Sequence, residues 1–201
     1  MKIVWLSLYF LVLIWSGIHP KDYFTWFLEV FPALAGLIVI AATYKKFRLT
    51  PLVYLLILVH SIILMVGGHY TYAEVPFFDW IRDVTGMARN NYDKLGHLAQ
   101  GFIPAIITRE ILLRKKIVTA RGWLSFLIVC ICLAISAFYE LIEWWAALLS
   151  GEAAEAFLGT QGYVWDTQSD MALALLGALL ALLSLARIHD RQLKKLGGIT
   201  K

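Results

Sequence analysis

Residues 169–188 read SDMALALLGALLALLSLARI, a run in which only Asp170 and Arg187 carry charge. An α-helix rises 1.5 Å per residue, so about 20 apolar residues cross the roughly 30 Å hydrocarbon core of a bilayer. Ser169–Ile188 is therefore expected to be a transmembrane helix, and it is the cleanest of six such stretches. The others are Ile3–Ile18, which is short, Tyr23–Thr43 with Glu29 and Pro32, Leu52–Gly67 with His60, Asp93–Leu113 with Pro104, and the long Gly122–Leu149. Composition agrees. The 201 residues are 60% apolar and 16% charged, with mean hydropathy +0.72; a soluble domain is about 45–50% apolar and about a quarter charged. This much apolar surface cannot be hidden inside a chain of this length, and disorder is excluded for the same reason. Cys130 and Cys132 are too few for a disulfide scaffold. They point about 200° apart around a helix and read as small packing residues. The expected fold is all-α: one integral membrane domain over residues 1–201, a bundle of six transmembrane helices.

Charge placement orients that bundle. Of the 18 Lys and Arg residues, all but Lys21, Arg82, Arg89 and Lys94 fall on one side of a six-span layout. They are Lys2, the runs around Lys45–Arg48 and Arg114–Arg121, Arg109, and the closing run from Arg187 to Lys201. By the positive-inside rule both termini are expected in the cytoplasm. The net charge of +4 is thus a topology signal rather than a nucleic-acid footprint. The first span has some signal-peptide character, but Ile18-His19-Pro20 is a poor cleavage site, so an uncleaved span is expected. Two outside loops are long. Gly68–Tyr92 is dense in aromatic residues, as suits a segment at the lipid headgroups. Ser150–Gln168 is acidic, with Glu152 and Glu155, and loops of such length are commonly functional.

Ionisable residues within spans are costly and mark functional sites by default. Asp93 and His97 open the fourth span, Glu140 and Glu143 lie toward the outer end of the fifth, and Asp166 and Asp170 open the sixth. Each pair is spaced i,i+3 or i,i+4 and so shares one helix face. If the faces meet, five carboxylates and one imidazole occupy a small volume, and His69 could join them. Asp93, Asp166 and Asp170 also suit helix N-termini, with Thr167 a candidate cap. Glu140 and Glu143 approach a C-terminus, where negative charge is disfavoured, and need a partner. Ion pairs with Arg89, Lys94 or Arg82, shared protons, or a divalent cation would each serve. A mixed His and carboxylate set favours zinc, manganese or iron over calcium. Glu29 and His60 read as isolated, Tyr139 could orient Glu140, and Arg109-Glu110 is expected to snorkel to the interface. The small residues of Ala172–Ala181 permit close helix approach.

The stretches Asn90-Asn91-Tyr92-Asp93-Lys94-Leu95-Gly96-His97, Tyr139-Glu140-Leu141-Ile142-Glu143-Trp144, Gly159-Thr160-Gln161-Gly162 and Trp165-Asp166-Thr167-Gln168-Ser169-Asp170-Met171, together with Gly68–Pro76, resemble the bacterial inner-membrane YjdF family. More distantly, Asp93, Lys94 and His97, then Glu140 or Glu143, then Asp166 or Asp170, are similar to VanZ-like membrane proteins. The VanZ-like pattern usually has Gln after its acid and an Arg in the following loop; here Glu143 stands in the former place, and no Arg lies between Glu143 and Asp166. The resemblance implies an envelope protein of the bacterial inner membrane, with VanZ-like members linked to glycopeptide resistance, and supplies no reaction.

Three classes of function follow. The first is a metal-dependent enzyme acting on a lipid-linked envelope substrate, with Asp93, His97, Glu143, Asp166 and Asp170 as candidate ligands. Glu140 is its candidate catalytic base, and His69, Arg89 and Lys94 stand nearby. The second is a proton-coupled transporter. The third is a structural protein whose cluster only pins helices. The expected partners are membrane lipids and a lipid-linked substrate, with no nucleic acid.

Overall fold

A computed structural model describes residues 2–150 and 161–197. Glu152, Glu155 and the Gly159-Thr160 part of the second long loop lie outside these residues. Seven helices are present among the described residues, and no strand. They are α1 (Lys2–Gly17), α2 (Tyr23–Thr43), α3 (Pro51–His69), α4 (Pro76–Thr85), α5 (Tyr92–Arg114), α6 (Arg121–Ser150) and α7 (Asp166–Lys195). Among the described residues four stretches are long and apolar enough to cross a membrane: Tyr23–Thr43, Pro51–His69, Gly122–Leu149 and Asp166–Lys195. The other two expected spans differ from these. Helix α1 has only 16 residues, and α5 carries Asp93, Lys94, Arg109, Glu110 and Arg114.

The element missed in sequence is α4, which lies within the first long loop. Pro76 starts it, and Gly86 ends it in the left-handed conformation at φ 70°, the usual glycine stop. Phe77, Trp80 and Val84 are exposed at i, i+3 and i+7, and Phe77 stacks on Trp80. Asp79, Arg82 and Asp83 pair among themselves on the polar side. Arg82 is thereby engaged away from the acidic helices.

The tightest packing is between α5 and α7. A Cβ on Gly101 would sit 1.8 Å from the Ala174 carbonyl oxygen, and one on Gly177 would sit 2.1 Å from that of Leu98. Ala174, Ala178 and Ala181 are fully buried along the same face. Small residues let the two backbones touch, the packing on which lipid-embedded helices rely. Val53 of α3 and Leu124, Ile128 and Cys132 of α6 complete this core. Helices α1, α2 and α3 form a second layer around Tyr9, Val30, Ala33, Leu58 and Met65, tied by Trp5 Nε1 donating to the Tyr54 carbonyl at 2.8 Å and Trp26 Nε1 to Ser16 Oγ at 3.1 Å. Asp22 caps α2 by accepting from the Thr25 amide at 2.6 Å, and that bond holds its carboxyl below the usual range. Lys21 meets Glu74 at 2.9 Å, which raises the Lys21 ammonium above its ordinary value.

At the end of the bundle opposite α4, Arg109 and Glu110 do not snorkel. Glu110 is fully buried. Its carboxylate accepts from the Thr50 amide at 3.0 Å, Thr50 Oγ1 at 2.7 Å and Arg114 at 2.7 Å, and lies 3.0 Å from His189 Nε2. Arg109 reaches His189 Nδ1 at 3.0 Å and Asp190 at 2.7 Å. Apart from Arg114, one helical turn on, the partners lie 60 or more residues away in sequence, so the helix pattern alone gives no sign of them.

Candidate functional site

At the α4 end, the α5–α7 seam decides which side chains meet. Gly101 lies one turn below His97, and Ala174 one turn below Asp170, so backbone contact there sets the imidazole opposite the Asp170 carboxylate. His97 Nε2 stands 3.2 Å from Asp93 Oδ1 and 3.9 Å from Asp170 Oδ2. Its Nδ1 stands 3.3 Å from Gln100 Oε1 and 3.8 Å from Glu140 Oε1. Helix α6 thus brings its acids to the other edge of the same ring. Two groups have ligand atoms within 4.8 Å of one another: Asp93, His97 and Asp170, and His97, Glu140 and Glu143. The three acidic pairs converge, and none of the six residues is more than 9% exposed.

Helix capping does not account for them. The N-cap of α5 is Asn91 and that of α7 is Trp165, neither through a side-chain bond. Asp93 and Asp166 sit in first turns, where they also favour the helix dipole. Ion pairing accounts for part of the cluster. Arg89 bridges Asp93, at 3.1 Å, and Asp166. Lys94 instead donates to Ser169 at 3.3 Å and lies over the Tyr163 ring. Glu140 Oε1 and Asp170 Oδ1 are buried without a hydrogen-bond partner, an arrangement that costs energy unless something else occupies it.

Glu29, isolated within its own helix, borders the same site. It is 6% exposed and accepts from Tyr139 Oη at 3.2 Å; Tyr139 therefore orients Glu29 rather than Glu140. A cavity of about 140 Å³ is lined by Glu29, His60, Tyr72, Asp93, His97, Gln100, Tyr139 and Glu143 among others, room for several waters or a small polar group. Glu29 reaches it because Gly68 lets α2 approach, its Cβ position lying 3.2 Å from Glu29 Cβ. Tyr72 reaches it from a left-handed backbone at φ 57°, its ring slotted against Gly67 and Gly96. His69 does not join the cluster. It faces the Ser16 carbonyl at 3.0 Å and packs on Trp15.

The loops are fastened over this end by Asn90, which is fully buried. Its amide nitrogen donates to the Val75 carbonyl and to Asp79, both at 3.0 Å. Its backbone exchanges two bonds with the Gln161 side chain, at 3.1 and 3.0 Å. Two of the motifs singled out in the sequence, around Asn90 and around Gln161, are therefore one structural joint.

Long apolar helices around a buried acid–histidine cluster define an integral membrane protein. Residues 1–191 match the family described as "Predicted membrane protein (DUF2238)", and the chain belongs to that family. It is 54% identical over 190 residues to "Inner membrane protein YjdF" of Escherichia coli (strain K12), covering 94% of this chain and 91% of that protein. No solved structure matches.

Proposed function

We propose that this protein is a six-span protein of the bacterial inner membrane with both termini in the cytoplasm. Its acid–histidine cluster is a divalent-metal centre that acts on a lipid-linked envelope substrate at the outer leaflet. Similarity to an inner membrane protein of Escherichia coli supports that location. Orientation rests on charge: the α2–α3 and α5–α6 connections and the end of α7 carry the basic runs, which puts the α4 end outside. On this reading α1 and α5 also cross, α5 hiding its charged groups among its neighbours, and α4 lies in the outer interface with Phe77, Trp80 and Val84 toward lipid.

The observation that carries the metal reading is the pair of buried oxygens without a hydrogen-bond partner, Glu140 Oε1 and Asp170 Oδ1, on two carboxylates that flank the His97 ring. A cation within the Asp93, His97 and Asp170 group would satisfy Asp170 and offset the excess of carboxylates over Arg89. The donor set suits zinc, manganese or iron. Such an ion polarises a phosphoryl or carbonyl oxygen or activates water, and Glu140, on the far edge of the His97 ring with Glu143 behind it, is placed to take a proton. Phospholipids, polyprenyl phosphates and cell-wall precursors are the substrate classes to screen. The transporter reading has less support, because the space leading from the cluster toward the basic end is lined chiefly by apolar residues such as Val39, Ile40, Ile57, Ile103 and Ile107, with His60, Ser61 and Thr43 the few polar ones before the lysines, and no carboxylate. Helix pinning explains Arg89 with Asp93 and Asp166, and the bond between Glu140 and Thr167, but leaves Glu140 Oε1 and Asp170 Oδ1 without a partner.

The test is elemental analysis of protein purified without chelator or His tag, beside His97→Ala and Asp170→Asn. About one equivalent of a transition metal in the wild type, lost in both folded variants, is expected. No metal in a folded wild-type sample defeats the reading.

A further inference from the structure

Between α2 and α5, floored by α3, runs a half-open apolar cleft of about 610 Å³. Its walls include Val39, Ile40, Ile57, Ile103 and Ile107. At the basic end Lys46 and Lys115 stand at its mouth. At the inner end it stops at Pro32, His60 and Leu64, which also border the acid–histidine cavity. Ile103 to Lys115 on α5 and Pro32 to Lys46 on the α2 side span roughly 18–21 Å at 1.5 Å per residue. That is the depth of one leaflet's hydrocarbon, about 15 Å, plus its headgroup layer.

Gly36 gives this cleft a second, independent mark. A glycine inside a helix costs about 0.5–1 kcal/mol relative to alanine. At Gly67, Gly101 and Gly177 close packing explains the cost, since a Cβ would strike a neighbour. At Gly36 a Cβ meets nothing within 4 Å, and the residue lines the cleft. The missing side chain serves no helix contact and leaves the α2 wall of the cleft bare at this level.

We propose that the cleft binds one anionic glycerophospholipid from the leaflet at the basic end, with its phosphate at Lys46 and Lys115 and one acyl chain lying along Gly36. Charge complementarity selects the occupant: a mouth with two ammonium groups and no carboxylate among its lining residues favours an anionic head over a zwitterionic one. The lysine mouth of the site lies at the other end of the bundle from the proposed metal, and the proposal does not depend on that metal.

The test is native mass spectrometry of the full-length protein in detergent, titrated with phosphatidylglycerol or phosphatidylethanolamine of matched chains. A single-lipid adduct about tenfold or more tighter for phosphatidylglycerol is expected. The K46Q/K115Q double variant, changing two exposed lysines, should bind both lipids equally. Gly36→Phe should lose both adducts, while Gly36→Ala keeps them and reports that α2 accepts a side chain there. Equal wild-type affinity for the two lipids, a phosphatidylglycerol preference that survives K46Q/K115Q, or an undiminished adduct in folded Gly36→Phe would each overturn the proposal. Should Gly36→Phe fail to fold, the lysine pair decides.

Discussion

Replacing Gly101 with alanine adds one methyl group, and the seam between α5 and α7 has no room for it. The new Cβ would lie 1.8 Å from the Ala174 oxygen, 2.5 Å from its carbonyl carbon and 2.7 Å from its Cα. All three are backbone atoms of a packed helix and cannot rotate aside. Restoring ordinary contact requires α5 and α7 to part by about 1.5 Å at that level. Overpacking a core costs about 1–3 kcal/mol where side chains yield, and here none can, so at least about 3 kcal/mol is expected. For a chain of this size that lowers the melting temperature by roughly 6–12 °C. One turn higher the same separation carries His97 Nε2 from 3.9 Å to beyond 5 Å from Asp170 Oδ2, and metal affinity should fall by about 10- to 100-fold. Tryptophan-fluorescence melting in detergent, followed by metal titration, reads both effects. Gly36→Ala is the control: its Cβ meets open space, so it should melt at or slightly above wild type. Wild-type melting and metal binding in Gly101→Ala would refute the account of how the seam builds the site.

Other consequences are separable. Arg89→Gln removes the bridge between Asp93 and Asp166 and should cost about 3–5 kcal/mol; added zinc should recover part of that loss by supplying positive charge, and no recovery in a melt with and without zinc would count against a cation site. Glu110→Ala strands Thr50, His189 and Arg114 and should cost about 3 kcal/mol, yet elemental analysis of the folded variant should find its metal content unchanged. Asp22→Ala removes the α2 cap, worth about 1 kcal/mol at pH 7. Because that carboxyl is held below its ordinary range, the contribution is complete above an unfolded value of about 3.9 and is lost as pH falls through the lower folded value. The gap between wild-type and variant melting curves should therefore close only in strong acid.

Six apolar stretches in the sequence correspond to α1, α2, α3, α5, α6 and α7, within three residues at every end except that of α7, which runs seven residues past Ile188 to Lys195; long apolar runs are easy to read as helices. The i,i+3 and i,i+4 spacing of the acids and the small residues of Ala172–Ala181 were legible for the same reason: they are properties of single helices. What was not legible is where helices meet at unpredictable heights. Glu29 looked alone because its approach depends on Gly68 of another helix, and the role of Glu110 depends on His189, far along the chain. Helix α4 was hidden because its Phe77, Trp80 and Val84 face made the loop read only as aromatic. The start of α7 was less legible than that of α5, because Trp165 at its cap is not a capping residue.

X-ray absorption at the metal edge of protein loaded with one equivalent of zinc tests the central claim most directly. The account predicts one imidazole nitrogen and carboxylate oxygens at about 2.0–2.2 Å, with the imidazole signal lost in His97→Ala. A shell of water oxygens alone, or an imidazole signal that persists without His97, would contradict it.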